Sequence, residues 1–551
     1  MTDPASRSTL PISFPVLLLA GMAFAAAYGQ APLFYSNQNQ YFVHGYAHAG
    51  QDLLDEDWLA GTLDPTPVFT ALVSFTVEFL SPWVFHVYEF LLLALYGATL
   101  LILFASFVER EVFLRRWPLF LFLLILLHSA AIRWLSYRLF GQDYPWYFQS
   151  GVAGQYVLGS MFQPSVFGVW LLVAVTAFVR GHPMWAAFLV SLAGTVHPTY
   201  LLPGALLTLG FLISYFVEKR RGAAIRLGLV TLILVVPITL YSVWTFDATS
   251  AKEFREAQNI LVNVRIPHHS RPDLWLDWIA VLQILWMGVG ILLSFRSRFF
   301  LVLLIPFLLG TALTLVQVAT NDPGLALLFP WRISSVLMPL ATGVILSRGV
   351  SRLATRSASE ELFKTSSLAL RAAAVYVGII CLAAIGIWIS LGRLAFHISE
   401  DELPLLNFVE SNRERGDVYL LPVRVPDLVS STRGSLSSDF KPLPDKRQDA
   451  RIIPIDLQRF RLQTGTPIFV DFKSVPYKDV EVIEWRNRLR LAEQIQEKLL
   501  RKQAHEVIPL LQKRGINHVI FPATVEWSDP RFERIYRDEA YQIFKLLRQE
   551  W

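Results

Sequence analysis

The segment 30–67 holds the side chains of this chain that are best suited to chemistry. It contains five carboxylates and two histidines, and it has no Lys or Arg to neutralise them. Three of the carboxylates are consecutive, Asp55, Glu56 and Asp57, and we predict that they are the catalytic groups. An acidic cluster of this kind is typical of a divalent-cation site, or of a site that holds a general base beside a substrate hydroxyl.

The same segment also offers a metal site if residues 41–55 form a helix. Spacings of four, four and three residues would then align four side chains on one helix face: His44, His48, Asp52 and Asp55. His44, His48 and Asp52 are the ligands that we predict for Mg²⁺ or Mn²⁺. The alternative is an acidic segment that is simply solvated at a membrane surface, and Gly45 and Gly50 disfavour the helix.

The elements that position this segment are membrane helices. The chain is 54% hydrophobic and 17% charged, and it has no Lys or Arg between Arg7 and Arg110. A transmembrane helix needs about 20 mostly apolar residues. Eleven such runs occur, near 10–28, 84–107, 118–136, 158–179, 184–198, 199–217, 227–246, 275–295, 299–319, 329–347 and 372–391. A further apolar stretch, 68–80, is predicted to lie along the membrane surface.

The loop charges predict an orientation. Lys and Arg concentrate in alternate loops, such as 110–116 and 219–226, and basic loops face the cytoplasm. The N-terminus is then cytoplasmic, and 30–67 is the first outer loop of a multi-pass protein of the inner (plasma) membrane. With eleven spans the region after residue 394 is extracytoplasmic, whereas an even number would place it in the cytoplasm.

Residues 395–551 are predicted to form a soluble α/β domain after a transmembrane domain of residues 1–394. Short β-rich runs at 417–422, 466–472 and 518–522 flank a long helical pattern, 480–513, that breaks near Ala504. No glycine-rich phosphate loop precedes a helix, which argues against nucleotide binding. Because the net charge of +5 resides mostly in short loops between apolar runs, we expect no nucleic-acid partner.

These features resemble the GT-C superfamily of membrane glycosyltransferases. The resemblance is carried by Asp55-Glu56-Asp57 in the first outer loop, by the interfacial helix after it, by about eleven spans and by the extracytoplasmic domain. The tail, with Phe460-Arg461 and Glu484-Trp485, also resembles uncharacterised bacterial multi-span proteins of GT-C type.

The resemblance implies an inverting glycosyltransferase that takes a sugar from a polyprenyl-phosphate donor to a lipid, glycan or protein acceptor. Asp55 or Asp57 would be the base, and Glu56 and Asp52 would orient the acceptor or hold a divalent cation. A cation must meet the leaving phosphate. The candidates for that cation are Arg133, Arg138, Arg265, Arg271 and Arg332, and the histidine turns 197–200 and 267–269 are candidates to line a sugar cavity. The predicted substrate-binding residues are Asp52, Arg133, Arg332, His197, His268 and Arg271.

Other interpretations stay open at this point. Arg133 and Arg332 lie at the outer ends of spans, where a charge is costly without a partner, but snorkelling to lipid headgroups also explains them. His197 and His268 are equally compatible with structural roles at turns. A lipid or glycan transporter (or flippase) and a non-catalytic assembly protein with the GT-C shape are the alternative functions, because a fold does not imply a function.

Overall fold

The computed structural model describes residues 11–358, 365–396, 399–426, 439–453 and 455–547. Six helices in these residues are long and apolar enough to cross a membrane, and there are seven if a pair bent by 45°, Arg110–His128 and Ala130–Phe140, is one span. The six are Val84–Phe107, Pro198–Val217, Arg221–Thr245, Phe299–Thr320, Pro323–Leu353 and Leu370–Leu391.

Four of the predicted spans coincide with shorter apolar helices: Phe14–Tyr28, Pro164–Val179, Pro183–Val196 and Trp278–Leu293. At 1.5 Å per residue these are shorter than a hydrocarbon core of about 30 Å. The chain therefore has the helices of a membrane protein, and the number eleven stays a prediction.

Glycines allow the first helix to pack closely against two others. A Cβ atom on Gly21 would lie 2.5 Å from the carbonyl oxygen of Ala94, and one on Gly386 would lie 2.3 Å from that of Ala26. Small residues that let two helix backbones approach each other are typical of the interfaces between transmembrane helices. Phe14–Tyr28 is in this way fixed between Val84–Phe107 and Thr365–Leu391, directly before the acidic segment.

Residues 41–55 do not form one continuous helix, so the condition under which four side chains would align on one helix face is not met. Two short helices, Gln38–Tyr41 and Val43–His48, are followed by Gly50 and Asp52, both with positive φ, and by a 3₁₀ turn at Leu54–Glu56. The predicted surface helix 68–80 is confirmed as a helix, Pro67–Phe79, which begins at a proline.

The connections on the tail side of the helices are mostly short and irregular. They include the helices Ala251–Ile260, Pro267–Ser270 and Pro272–Trp275, 3₁₀ turns at Tyr144–Phe148, Val152–Gly154, Pro164–Gly168, Pro198–Tyr200 and Pro330–Ile333, and a π-helix at Leu261–Arg265. The predicted break at His197 and Pro198 is confirmed between helices that end at Val196 and begin at Leu201.

The tail combines helices with a small four-stranded sheet, and two of the three strand pairs are antiparallel. Strands β1 (Tyr419–Leu420), β2 (His518–Pro522), β3 (Phe532–Arg537) and β4 (Tyr541–Leu546) are ordered β1-β2-β4-β3, and only β1 and β2 are parallel. The helices are Leu403–Asn412, Phe460–Thr464, Asp479–Leu500 and Ala504–Lys513. The predicted strand at 466–472 is reduced to one bridge, between Ile468 and Tyr419.

Candidate functional site

The acidic segment is an interface with the tail. The side chain of Asp57 is fully buried and accepts three hydrogen bonds: from Arg461 Nε at 2.8 Å, from the Ile468 backbone N–H at 3.0 Å and from the Leu59 backbone N–H at 2.8 Å. Arg461 also pairs with Asp471 and is itself buried. Removing either partner of such a pair would leave an uncompensated buried charge.

The neighbouring carboxylates meet other basic groups of the tail. Asp52 pairs with Arg413, and Glu56 accepts hydrogen bonds at 3.0 Å from Arg415 Nη1 and from the Gly416 backbone N–H. Asp55 lies 3.9 Å from Arg415 and keeps about half of its side chain exposed. The cations missing from the loop are thus supplied by arginines that lie 359 to 404 positions later in the chain.

The predicted metal ligands do not meet. His44 is buried and its Nε2 lies 3.0 Å from the carbonyl oxygen of Thr62, His48 is exposed, and Asp52 is paired with Arg413. The cause is the end of the helix at His48, which removes the common face. Within the described residues, no group of three or more His, Cys, Asp or Glu side chains is arranged to hold a metal ion.

A second charged region, which we term the buried cation cluster, contains Arg265, Arg332, Lys473, His268 and His269. It joins three parts of the chain: the loop around the π-helix Leu261–Arg265, the turn before Ser334, and the tail. Arg265 Nη2 donates to the carbonyl oxygen of Lys473 at 2.5 Å. π-Helices often occur at functional sites, because they displace a side chain from the regular helix pattern.

The electrostatics of the cluster reflect the close approach of like charges. Burial, and then the charge of Arg265, lower the pKa of Lys473 to about 7. Burial also lowers the pKa of His269 to about 4, with further contributions from Arg332, Arg265 and Lys473. The pKa of His268 is lowered well below its usual value by burial and by His269, so both imidazoles are neutral near pH 7.

Several hydrogen-bonding atoms in and beside the cluster have no partner in the described part of the chain. Arg332 Nη1 donates to Gln155 at 2.8 Å and its guanidinium lies 4.7 Å from the centre of the Tyr200 ring, but its Nε is unpaired within those residues. The other atoms of this kind are Arg265 Nε, His268 Nδ1, His197 Nδ1, Gln163 Oε1 and the hydroxyls of Ser165 and Thr199. Because buried polar atoms are normally satisfied, such a concentration indicates a site that a polar ligand would complete.

A small cavity lies close to the cluster, beside Tyr41, which is within electrostatic reach of Arg332 and Arg265. Its volume is about 10 Å³, and Tyr41, His44 and Tyr477 line it. Tyr477 is partly exposed, and its hydroxyl accepts a hydrogen bond from Gln40 Nε2 at 2.9 Å. A cavity of this size holds at most one water molecule.

The structure brings together three of the predicted substrate-binding residues, Arg332, His197 and His268, and separates the others. His197 packs edge-on against Tyr200, the ring that Arg332 covers. Arg133 is buried in an ion pair with Asp143 at 2.8 Å and lies 3.6 Å from Asp439. Arg271 is at the surface and pairs with Asp273 at 2.6 Å. Asp52 belongs to the tail interface.

Lys473, and the pairing of the tail arginines with the acidic segment, were not predicted from the sequence. A signal was available for Lys473, which follows the apolar run of residues 466–472 and precedes Val475. For Arg413 and Arg415 no local signal exists, because both lie among many charged residues of the tail.

Comparison with known proteins gives one partial match. The family profile described as a domain of unknown function, DUF6798, matches residues 445–492. That segment contains Arg461, Asp471 and Lys473, and thus the tail's contributions to both the Asp57 contact and the cation cluster. No curated protein matches the chain.

Proposed function

We propose that this protein is a membrane glycosyltransferase of GT-C type that uses a polyprenyl-phosphate sugar donor at the outer membrane face. The observation that carries the proposal is the buried cation cluster, with Arg332 and Arg265 each left with an Nε–H unpaired among the described residues. Arginine guanidinium groups bind phosphate through paired hydrogen bonds. A lipid-linked phosphate is an anion that has to be bound next to the membrane helices, where this cluster lies.

The transfer step needs a base beside the anchored phosphate. His268 is neutral near pH 7, and its Nδ1 is buried without a partner among the described residues. Burial and the neighbouring cations lower its pKa, so it accepts the proton only when the negative charge of the bound phosphate offsets those cations. In the proposed step, the acceptor hydroxyl gives its proton to His268 and its oxygen bonds to the anomeric carbon. The bond from that carbon to the phosphate oxygen breaks, and polyprenyl phosphate leaves with the electron pair, which inverts the configuration.

The predicted carboxylates then take different roles. Asp57 accepts three hydrogen bonds and Glu56 accepts two, so both hold the tail over the membrane helices. Asp55 retains an exposed carboxylate and is the alternative base. The proposal keeps the predicted orientation, with the N-terminus in the cytoplasm and the tail outside, and it leaves the sugar and the acceptor unassigned.

The experiment compares variants in cells that lack the native gene. Arg332→Gln, Arg265→Gln and His268→Ala should abolish or strongly reduce the missing glycolipid or glycan, measured by mass spectrometry of envelope extracts. Arg271→Gln is the matched control, because Arg271 lies in the same outer loop but pairs with Asp273 at the surface. Normal products from all three cluster variants, at normal protein levels, would contradict the proposal.

A second function, lipid-phosphate binding without catalysis, is favoured by one observation. Asp52, Glu56 and Asp57 are engaged by the tail, which is what a protein with the GT-C shape and no loop base would show. Native mass spectrometry separates the two functions. A polyprenyl phosphate that co-purifies with wild type and with both His268→Ala and Asp55→Asn, without any change of glycan products in either variant, would support the binding protein or transporter.

A further inference from the structure

A groove between the tail and the helix Ala251–Ile260 is lined by four cations, none of which belongs to the buried cation cluster. It has a volume of about 760 Å³ and runs between the helices Ala251–Ile260 and Asp479–Leu500. Lys252 and Arg255 line one wall, and Arg486 and Arg490 line the other. Spacings of three and four residues keep each pair on one helix face, so two pairs of like charges face a common space.

The cations of the groove differ from the other cations on the same helix. Arg488 pairs with Glu484 at 3.0 Å, and Lys498 pairs with Glu506 at 2.8 Å. Arg486 and Arg490 form neither an ion pair nor a hydrogen bond with any side chain in the described ranges, and Arg486 Nη1 is buried there without a partner. Helix Asp479–Leu500 therefore neutralises its other cations and leaves these two open.

Acidic residues do not compensate the groove. Glu256 lines it and Glu493 lies close enough to act on Arg486, which leaves an excess of positive charge. Burial and the neighbouring Arg490 lower the pKa of Arg486. Like charges four residues apart destabilise a helix, a cost that a bound anion would remove.

The groove lies close to the end of a candidate span. Helix Arg221–Thr245 ends six residues before Ala251, and the connection is fixed by Thr249, whose N–H and hydroxyl each donate to Asp479 at 2.7 Å. Trp244, at the end of that span, is 72% exposed, as expected for a side chain at the membrane–water boundary. A ligand in the groove is thus within reach of lipid headgroups.

We propose that this groove binds a phosphate-bearing ligand with two negative charges, one for each facing pair of cations. Arginine and lysine on opposing walls suit phosphate oxygens, and the open volume admits a headgroup or a free phosphate compound. The inference is independent of the transfer reaction, because none of its residues belongs to the buried cation cluster.

The test uses the full-length protein purified in detergent and two probes. Native mass spectrometry measures the retention of cardiolipin, whose two phosphodiesters carry two negative charges, against phosphatidylcholine. Calorimetry measures binding of inorganic pyrophosphate at about 0.1 M salt. The variants are Arg486→Gln with Arg490→Gln, and separately Lys252→Gln with Arg255→Gln on the opposite wall. The matched control is Lys498→Gln with Arg501→Gln, which removes the same charge from the paired end of the same helix.

We expect each groove pair to weaken binding of at least one probe about tenfold or more and the control to leave both unchanged. Loss of cardiolipin retention alone identifies a lipid headgroup, and loss of pyrophosphate binding alone identifies a soluble phosphate compound. Equal binding by wild type and both groove variants would overturn the proposal, as would an equal loss in the control pair. The unfolding temperature of each variant shows that it is folded.

Discussion

The acidic segment and the buried cation cluster differ in whether their buried charges are paired. In the segment 30–67, Asp57 is buried with a matching Arg461 and two backbone donors. In the cluster, Arg265, Arg332 and Lys473 collect near neutral histidines, and guanidinium nitrogens stay unpaired among the described residues. A buried charge that is fully paired contributes to holding the structure together, whereas unpaired buried charge costs free energy until a ligand arrives. The first region therefore maintains the architecture, and we infer that the second region awaits an anion.

The largest expected effect is on the paired region. Arg461→Gln removes the cation between Asp57 and Asp471 and should destabilise the protein by about 3–5 kcal/mol, the usual cost of breaking a buried pair. Thermal unfolding followed by tryptophan fluorescence measures the loss, and limited proteolysis of the tail reports whether it has detached. An unfolding temperature equal to that of wild type would contradict the assignment of Asp57 to the interface.

The second prediction concerns the unpaired region and has the opposite sign for stability. Arg332→Gln should weaken binding of a polyprenyl phosphate by about ten- to a hundredfold, because a hydrogen bond to a charged group contributes about 1.5–3 kcal/mol. The unfolding temperature should stay the same or rise, since the variant removes a buried charge that has no carboxylate partner among the described residues. A large loss of stability with unchanged binding would show that Arg332 maintains the structure and does not bind an anion, which contradicts the prediction.

The third prediction is a dependence on pH. Lys473 carries a pKa of about 7, so it is charged below pH 7 and mostly neutral at pH 8. Binding of a polyprenyl phosphodiester, whose own charge is constant in this range, should weaken as pH rises from 6 to 8. Arg265 stays charged, and His268 and His269 stay neutral throughout, so Lys473→Met should remove the dependence. A slope that persists in this variant would assign the titration elsewhere.

The smallest effect is expected at the exposed edge of the interface. Arg415 is about 70% exposed, and its contacts with Glu56 and Asp55 are open to solvent and salt. Arg415→Gln should change the free energy of unfolding by about 0–1 kcal/mol, as for surface ion pairs in general. Denaturant unfolding of Arg415→Gln and Arg461→Gln, measured under the same conditions, compares the two ion pairs. Similar losses of unfolding free energy in the two variants would show that burial does not make the Asp57–Arg461 pair more important than the exposed pair.

Sequence predicted the helices and the importance of the acidic segment, because both depend on local composition. The break near Ala504 and the turn at His197 were predicted correctly for the same reason. The role of the carboxylates could not be predicted from the sequence, because their partners lie in the tail. Pairing over such a long separation in sequence leaves no pattern in either segment. Residues 41–55 do not form one helix, because the backbone has positive φ at Gly50 and Asp52.

The cation cluster could be predicted only in part. Arg332, Arg265, His268 and His269 were named individually from their places at a span end or in an outer loop, and the fold brings them together. Lys473 joins them through tertiary packing, and the pairing of Arg133 with Asp143 likewise requires the folded chain. Strands β3 and β4 were missed because exposed charged residues interrupt the apolar alternation in β3.

The bond between Asp57 and Arg461 also restricts how the chain threads the membrane. Two groups 2.8 Å apart lie on the same side of a bilayer, so the path from one to the other crosses it an even number of times. The ten spans predicted after residue 67 satisfy this condition, whereas gaining or losing a single crossing anywhere between the two residues violates it. If a short helix such as Pro183–Val196 or Trp278–Leu293 does not cross the membrane, the number of crossings must change by one elsewhere between Asp57 and Arg461.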